Sequence, residues 1–499
     1  MDLLTLLEMT AGGMEDRLLL GCRQDGLTAG QLRDRSVAAA AVVARHDAEK
    51  VLYLAGNGTG FAVALFGAAA AGVPFLPLNY RLSDEQLSQI LARHPGLVLA
   101  EDVVRAADLA PAGSTVLALD ALLAEVAATA QPQAELKPAD PESIAVLLMT
   151  SGTTAAPKSA VLRHHHLTSY VMGSVDFASA EEEDATIVSV PPYHIAAVAN
   201  LLSNLYAGRR IVYLDRFTAA GWVDLVETER ISNAMVVPTM LARIVRHLEQ
   251  TGRTGPACLR GLSYGGAKVP PSVLEAALKL FPTTGFVNAY GLTETSSSIA
   301  LLGPDDHRAA ITSTDPEARA RLSSVGRALP GVEIEVRAED DRPAPPGVVG
   351  DILVRGTQVA GEYLEKGSTL ADGGWFPTRD RGHLDAAGFL FVQGRADDTI
   401  IRGGENIAPA EIEDVMVHHA AVAECAVAGV PDVEWGQIIA AFVVLNDGAS
   451  VTAEELRGYV RAHLRSSKTP DQIHFLPELP ATPTGKILRR NLVTSALRA

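Results

Sequence analysis

Cysteine is scarce in this chain. Among 499 residues there are three, Cys22, Cys258 and Cys425, far apart and without paired spacing. That argues against a disulfide framework and a thiolate metal site, and fits a reducing cytoplasm. Net positive charge is also missing: 42 Lys and Arg stand against 59 Asp and Glu, a formal charge of −17. Such a balance argues against nucleic acid or an anionic membrane as the main partner, and any anionic ligand must be met by local cations. No basic leader opens the chain. Met1 to Leu20 is amphipathic with early acids, so no signal peptide is expected. Finally, no apolar run reads cleanly as a membrane span. Phe61 to Leu78 is uncharged and long enough, but it is rich in Ala and Gly and interrupted by Pro74 and Pro77. A buried helix, Phe61 to Ala71, followed by a buried strand, Val73 to Leu78, is expected there, and no transmembrane segment.

What is present is a large apolar fraction, 47%, in a chain long enough for about three domains' worth of core. Short apolar runs (51–55, 96–100, 211–214 and 234–237) alternate with helical patterns, which predicts parallel sheets covered by helices. From Val332 to Val354 short alternating segments around a Pro/Gly-rich turn predict a small antiparallel barrel. The Ala-rich stretch Val103 to Gln133 reads as surface helix and loop. After Arg395 a helix starting at Pro409, strands over Ala423–Val430 and Ile438–Leu445, and a helix over Ala453–Leu464 predict a small α+β domain. The expected fold is α/β, with a large domain over 1–395 and a small mobile domain over 396–499.

Chemistry concentrates in two turns, each with one lysine. The run 144–149 ends in Thr150-Ser151-Gly152-Thr153-Thr154-Ala155-Ala156-Pro157-Lys158. Hydroxyls of Thr150, Ser151, Thr153 and Thr154, the bare backbone at Gly152 and the Lys158 charge compose a phosphate cradle. It is not a P-loop. Pro157 stands where that motif needs a second glycine and has no N–H to give, and Lys158 leads into the strand-like Ser159-Ala160-Val161-Leu162 rather than a helix. The second lysine is in Pro483-Thr484-Gly485-Lys486.

Five further segments lie between them in order: Gly265-Gly266-Ala267, Asn288 to Thr295, Gly374 to Asp380, Gly394 to Asp398, and Arg402 to Asn406. Together the seven resemble the adenylate-forming superfamily of acyl-CoA synthetases, aryl-CoA ligases and related adenylating enzymes, over nearly the whole chain. The resemblance implies ATP, Mg2+ and CoA. A carboxylate attacks the α-phosphate to give acyl-AMP and pyrophosphate, and a thiol then displaces AMP, with the protein positioning groups and neutralising charge.

It also implies roles. Gly265, Gly266 and Ala267 would floor the adenine, with Asn288, Ala289, Tyr290, Gly291 and Thr293 beside the nucleotide. Glu294 would hold magnesium, which needs hard oxygen and few protein ligands. Asp380 would hold the ribose, with Arg395 beside it. Lys486, with His194, Glu294 and Thr154 as further catalytic candidates, would bond the reacting oxygens. A point charge on a flexible stem suits delivery by a moving domain. Asp397 would be the hinge, Gly403 and Gly404 would line the pantetheine tunnel, and Trp435 would touch CoA. His194, in Pro192-Tyr193-His194, would border the acyl pocket. The consecutive histidines 164–166 point different ways on a helix and receive no metal.

Two positions depart from the family pattern. Ala155 and Ser159 replace glycines of the phosphate turn, implying a stiffer loop. The segments expected around the acyl group are small and apolar, favouring an aryl or medium aliphatic acid over an amino acid. The acceptor stays open between CoA and a carrier-protein phosphopantetheine or other acceptor. A silent binding protein on the same fold is the third reading.

Overall fold

The computed structural model describes residues 1–133, 135–150, 158–402, 405–482 and 487–497. Among these, one large sheet runs in the order Gly367–Ser368, Glu362–Tyr363, Lys158–Arg163, Ile144–Thr150, Phe75–Pro77, Val51–Leu54, Leu97–Ala100, Thr115–Ala118. A second runs Arg327–Ala328, Ser297–Leu302, Gly285–Leu292, Gly261–Gly265, Asn233–Val236, Ala185–Val188, Arg210–Tyr213, Leu18–Leu20, Leu27–Thr28. Their central strands pair in parallel, as the alternation predicts. Val51–Leu54 and Leu97–Ala100 are buried at every residue, because helices cover both sheet faces. Antiparallel partners join toward the edges: Ile144–Thr150 with Lys158–Arg163, and Gly285–Leu292 with Ser297–Leu302.

The membrane-length run resolves into the helix Thr59–Ala70, buried from Gly60 to Ala69, and the strand Phe75–Pro77. No helix among the described residues is long and apolar enough to cross a membrane. The Ala-rich stretch differs from expectation. It contributes the strand Thr115–Ala118, paired in parallel with Leu97–Ala100, and the helix Leu119–Thr129 whose Leu122 and Val126 are buried. The strand is a half-buried sheet edge, and the helix turns one apolar side to the core while the rest stays at the surface.

The short strands expected as a barrel form a four-stranded antiparallel sheet, Val332–Arg337, Gly350–Gly356, Phe376–Leu384, Leu390–Arg395. No ladder joins its two edge strands among the described residues. The small C-terminal domain is a long hairpin, Val422–Asp432 with Gly436–Leu445, extended in parallel by Gln472–Phe475. Alternation gives the hairpin two apolar faces. Val427, Ile439, Ala441 and Val443 pack with Ile412, Met416, Leu456 and Val460, while Ala426, Ala428, Ala440 and Phe442 pack with Leu492. The helix Ala453–His463 starts at a capping box of Thr452 and Glu455, and Pro409–Met416 has proline at its first position.

Candidate active site

Strand Gly261–Gly265 lies beside Gly285–Leu292, with Gly265 opposite Ala289. A Cβ at Gly265 would lie 2.2 Å from the Ala289 carbonyl oxygen, and one at Gly291 would lie 1.9 Å from that of Ser297. Only glycine fits at either place. The Asn288 amide donates to the Ser324 carbonyl at 3.1 Å, tying this strand down.

Past Gly291 the chain makes a single 3-10 turn, Thr293–Thr295. Thr295 Oγ1 accepts from the Leu292 N–H at 2.9 Å and donates to the Ser297 carbonyl at 2.8 Å. Buried Gln358 donates to the carbonyls of Thr295 and Ser298. The turn so fixed presents Glu294, which is 9% exposed and accepts the Tyr363 hydroxyl at 2.5 Å. Burial, then the Glu294 charge, push the Tyr363 pKa up and keep that hydroxyl a donor. Lys158 Nζ sits 5.3 Å from the centroid of the Tyr363 ring. Burial, then Lys366 and Arg379, pull the Lys158 ammonium below its ordinary range.

Asp380, 7% exposed, faces Arg395 in the antiparallel ladder. It accepts from Tyr290 Oη at 2.6 Å and pairs with Arg395 Nε at 3.0 Å. Its own N–H donates to Thr378 Oγ1 at 3.0 Å, and Thr378 donates to the Ile352 carbonyl. Burial and then Asp380 raise the Tyr290 pKa well above the ordinary phenol value.

Several of these groups line one cleft, with Asp380 next in sequence to its wall. Lys158, Lys366, Arg379 and Arg395 line it with Tyr363 and Thr378, and Glu294 is the single carboxylate on its wall among the described residues. The donor set fits a magnesium polyphosphate, since Mg2+ keeps several waters and needs only one or two carboxylates. Arg379 is unusual. Its φ is +62°, a left-handed conformation that costs an L side chain about 1 kcal/mol. Its Nη1 lies 3.7 Å from Asp397 Oδ2 on the 3-10 turn Ala396–Asp398.

Ser159 departs from expectation. It is fully buried and turned to Glu365, donating its N–H to Oε2 at 3.0 Å and its hydroxyl to Oε1 at 2.8 Å, with His94 Nε2 3.4 Å from the hydroxyl. Burial opposes ionisation of Glu365, but the Ser159 bonds outweigh it and hold its pKa below the usual range. The side chain is thus a clamp between Lys158–Arg163 and the segment carrying Tyr363.

Other positions stand apart. His194 is the N-cap of the helix Ile195–Ala207, its ring 4.6 Å from that of Tyr193, and its Nε2 is buried with no partner among the described residues. Burial, then Arg81, lower its pKa to about 4. Trp435 is exposed on the hairpin turn, its ring under the Arg402 guanidinium at 4.8 Å. The side chain of Lys268, next to Ala267, pairs with Asp414 on the helix Pro409–Met416. His164 and His166 accept backbone N–H groups of Leu3 and Arg163, which makes them structural. Thr150 ends its strand opposite Lys158. Ser151, Gly152, Thr153, Thr154, Ala155, Gly403, Gly404 and Lys486 lie outside the described residues.

Sequence reasoning missed Tyr363, Lys366, Arg379 and Glu365. Only Arg379 carried a local signal, its adjacency to Asp380.

Residues 7–364 match the family of AMP-binding enzymes, and residues 411–486 match the AMP-binding enzyme C-terminal domain. The chain is 32% identical over 459 residues to the fatty acid–acyl-carrier-protein ligase ScoC of Streptomyces coeruleorubidus, covering 89% of this chain and 86% of that protein. It is 34% identical over 355 residues to the 2-succinylbenzoate–CoA ligase of Geobacillus sp. (strain WCH70), covering 70% and 69%. The o-succinylbenzoate coenzyme A synthetase of Bacillus subtilis, solved with ATP and a magnesium ion, superposes with a TM-score of 0.82 at 27% identity, covering 98% of each chain. A cationic cleft beside a buried aspartate, on a fold shared along nearly its whole length with that synthetase, places the chain in the adenylate-forming family of AMP-binding enzymes.

Proposed function

We infer that this enzyme is an AMP-forming acid–CoA ligase. A substrate carboxylate oxygen attacks the α-phosphorus of ATP, and the bond to the bridging oxygen of pyrophosphate breaks. The thiol of CoA, losing its proton, then attacks the acyl carbon, and AMP leaves with the former carboxylate oxygen. The observation that carries this reading is the cleft itself, in which, among the described residues, four cations and one hard carboxylate adjoin the braced Asp380.

Asp380, already oriented by Tyr290 and Arg395, takes the ribose hydroxyls. Lys158 with Thr150, Ser151, Gly152, Thr153 and Thr154 cradles the phosphates, and Glu294, steadied by Tyr363, holds Mg2+, which supplies charge neutralisation when bound. Gly265, Gly266, Ala267, Asn288, Ala289, Tyr290, Gly291 and Thr293 flank the base. His194 borders the acyl group, and its ring, neutral at pH 7, avoids placing a charge beside it. The chain divides at Arg395 and Ala396 into a large and a small domain, which the separate core clusters support. Asp397 is the pivot, Lys486 travels with the small domain, and Gly403, Gly404 and Trp435 meet the pantetheine arm.

The acid is an aryl or medium aliphatic one, and the setting is the cytoplasm. The likeness to a 2-succinylbenzoate–CoA ligase favours the aryl class. The likeness to a ligase named for an acyl-carrier protein supports a second acceptor, a carrier-protein phosphopantetheine. Pyrophosphate release measured over a panel of aryl and aliphatic acids, followed by CoA or holo-carrier protein, decides both. Release with no acid, or thioester formation with neither thiol, overturns the assignment. Lys486→Ala should cut adenylation by about a thousandfold or more while sparing thiolation from supplied acyl-AMP. Equal loss in both half-reactions sinks that role.

A further inference from the structure

Arg379 is the most strained functional neighbour in the cleft. An arginine has no conformational reason to stand at φ +62°, a setting that L side chains rarely adopt. Among the described residues its one ion pair, with Asp397, is long at 3.7 Å, and the guanidinium is 63% exposed. Yet Arg379 follows Thr378 in the cleft wall, next in sequence to the buried Asp380, and lines the same space as Lys158, Lys366 and Glu294. Its charge reaches far enough to act on both Lys158 and Tyr363. The left-handed turn lets Asp380 face Tyr290 and Arg395 while the preceding side chain stays at the cleft.

We propose that Arg379 is a further binding residue for the β,γ-phosphates of ATP and for the released pyrophosphate, exchanging its loose Asp397 partner for phosphate oxygens. A guanidinium presents paired N–H donors that match phosphate oxygens in a way an ammonium does not. The exchange also links the two steps. With phosphate bound, Asp397 at the pivot loses its partner, and with pyrophosphate gone the pair re-forms. The inference rests on the nucleotide reading of the cleft.

The test is calorimetric binding of ATP, AMP and inorganic pyrophosphate, each with Mg2+, to the full chain and to Arg379→Gly and Arg379→Lys. Glycine tolerates the backbone angle, so Arg379→Gly should melt no lower than the parent. It should bind ATP and pyrophosphate about tenfold more weakly and AMP within twofold of the parent, and Arg379→Lys should recover part of the loss. Unchanged pyrophosphate binding in Arg379→Gly overturns the proposal. So does an equal loss for AMP, which would assign the residue to orienting Asp380. If the parent itself binds none of the three, the nucleotide reading of the cleft falls first and the proposal with it.

Discussion

The two sides of the proposed reaction centre are finished to different degrees. On the nucleotide side, each key carboxylate already has protein partners: Glu294 has Tyr363, and Asp380 has Tyr290 and Arg395. On the side around Pro191 to His194, buried polar atoms lack them. His194 Nε2, Asn57 Oδ1 and Tyr213 Oη have no partner among the described residues, although the Asn57 amide still donates to the Val190 carbonyl. A buried polar atom without a partner costs about 1–3 kcal/mol. The first side is prearranged for a ligand that never varies. If the second side borders the acyl group, as proposed, its hydrogen-bonding capacity would be left to the acid, which suits a fold that serves many acids.

The comparison breaks most sharply at Asp380. Asp380→Asn keeps the shape but removes the charge that Arg395 and Tyr290 are built around. Two charge-assisted bonds weaken at once, so kcat/KM for ATP should fall about a hundredfold, equivalent to ~2.7 kcal/mol. Acid preference should hold. A change in acid ranking would mean that the two sides are one.

His194 sharpens the other side. A histidine whose folded pKa is about 4 contributes stability that is present above its unperturbed value near 6.5 and lost as pH falls toward 4. With partial solvent access discounted, that share is about 2 kcal/mol. His194→Gln should therefore flatten the fall in unfolding free energy between pH 6.5 and 4, read by denaturant titration at each pH. Parallel curves for parent and variant would show that the ring is not held neutral by burial.

The smallest effect belongs to Ser159→Gly, which removes the hydroxyl bond to Glu365 in the segment that carries Tyr363 and leaves the backbone N–H bond in place. The KM for MgATP should rise by tenfold or less, about 1.4 kcal/mol, with acid specificity unchanged. Restoring the bond with Ser159→Thr should recover part of the affinity, and an affinity unmoved by either substitution would leave the clamp without a role.

How much of this was legible in sequence follows from how local each feature is. Val51–Leu54 and Leu97–Ala100 were visible because every residue is apolar and buried. Thr115–Ala118 was not, since an edge strand half-buried throughout carries no such signature. Asp380, Arg395 and Glu294 were found through the segments around them. Tyr363 sits in a two-residue strand joined to Ala160, and Glu365 meets Ser159 from 206 residues away. No window of sequence contains such a pair. Arg379 violates the local rule that reserves its backbone angle for glycine, and sequence reasoning fails where function overrides propensity.

Gly291 has a consequence for anyone reading mutational maps of this enzyme. Any side chain there would collide with the Ser297 carbonyl across a ladder that already shifts register between Tyr290 and Gly291. In a saturation library the position will score like a catalytic residue, intolerant of all nineteen replacements, though it has no side chain to offer a ligand. The loss would report a displaced Glu294 two turns of logic away: the strand is pushed apart, the 3-10 turn that follows it moves, and the carboxylate goes with it. A tolerance map of the cleft therefore has to be sorted by backbone spacing before any of its cold spots is read as chemistry.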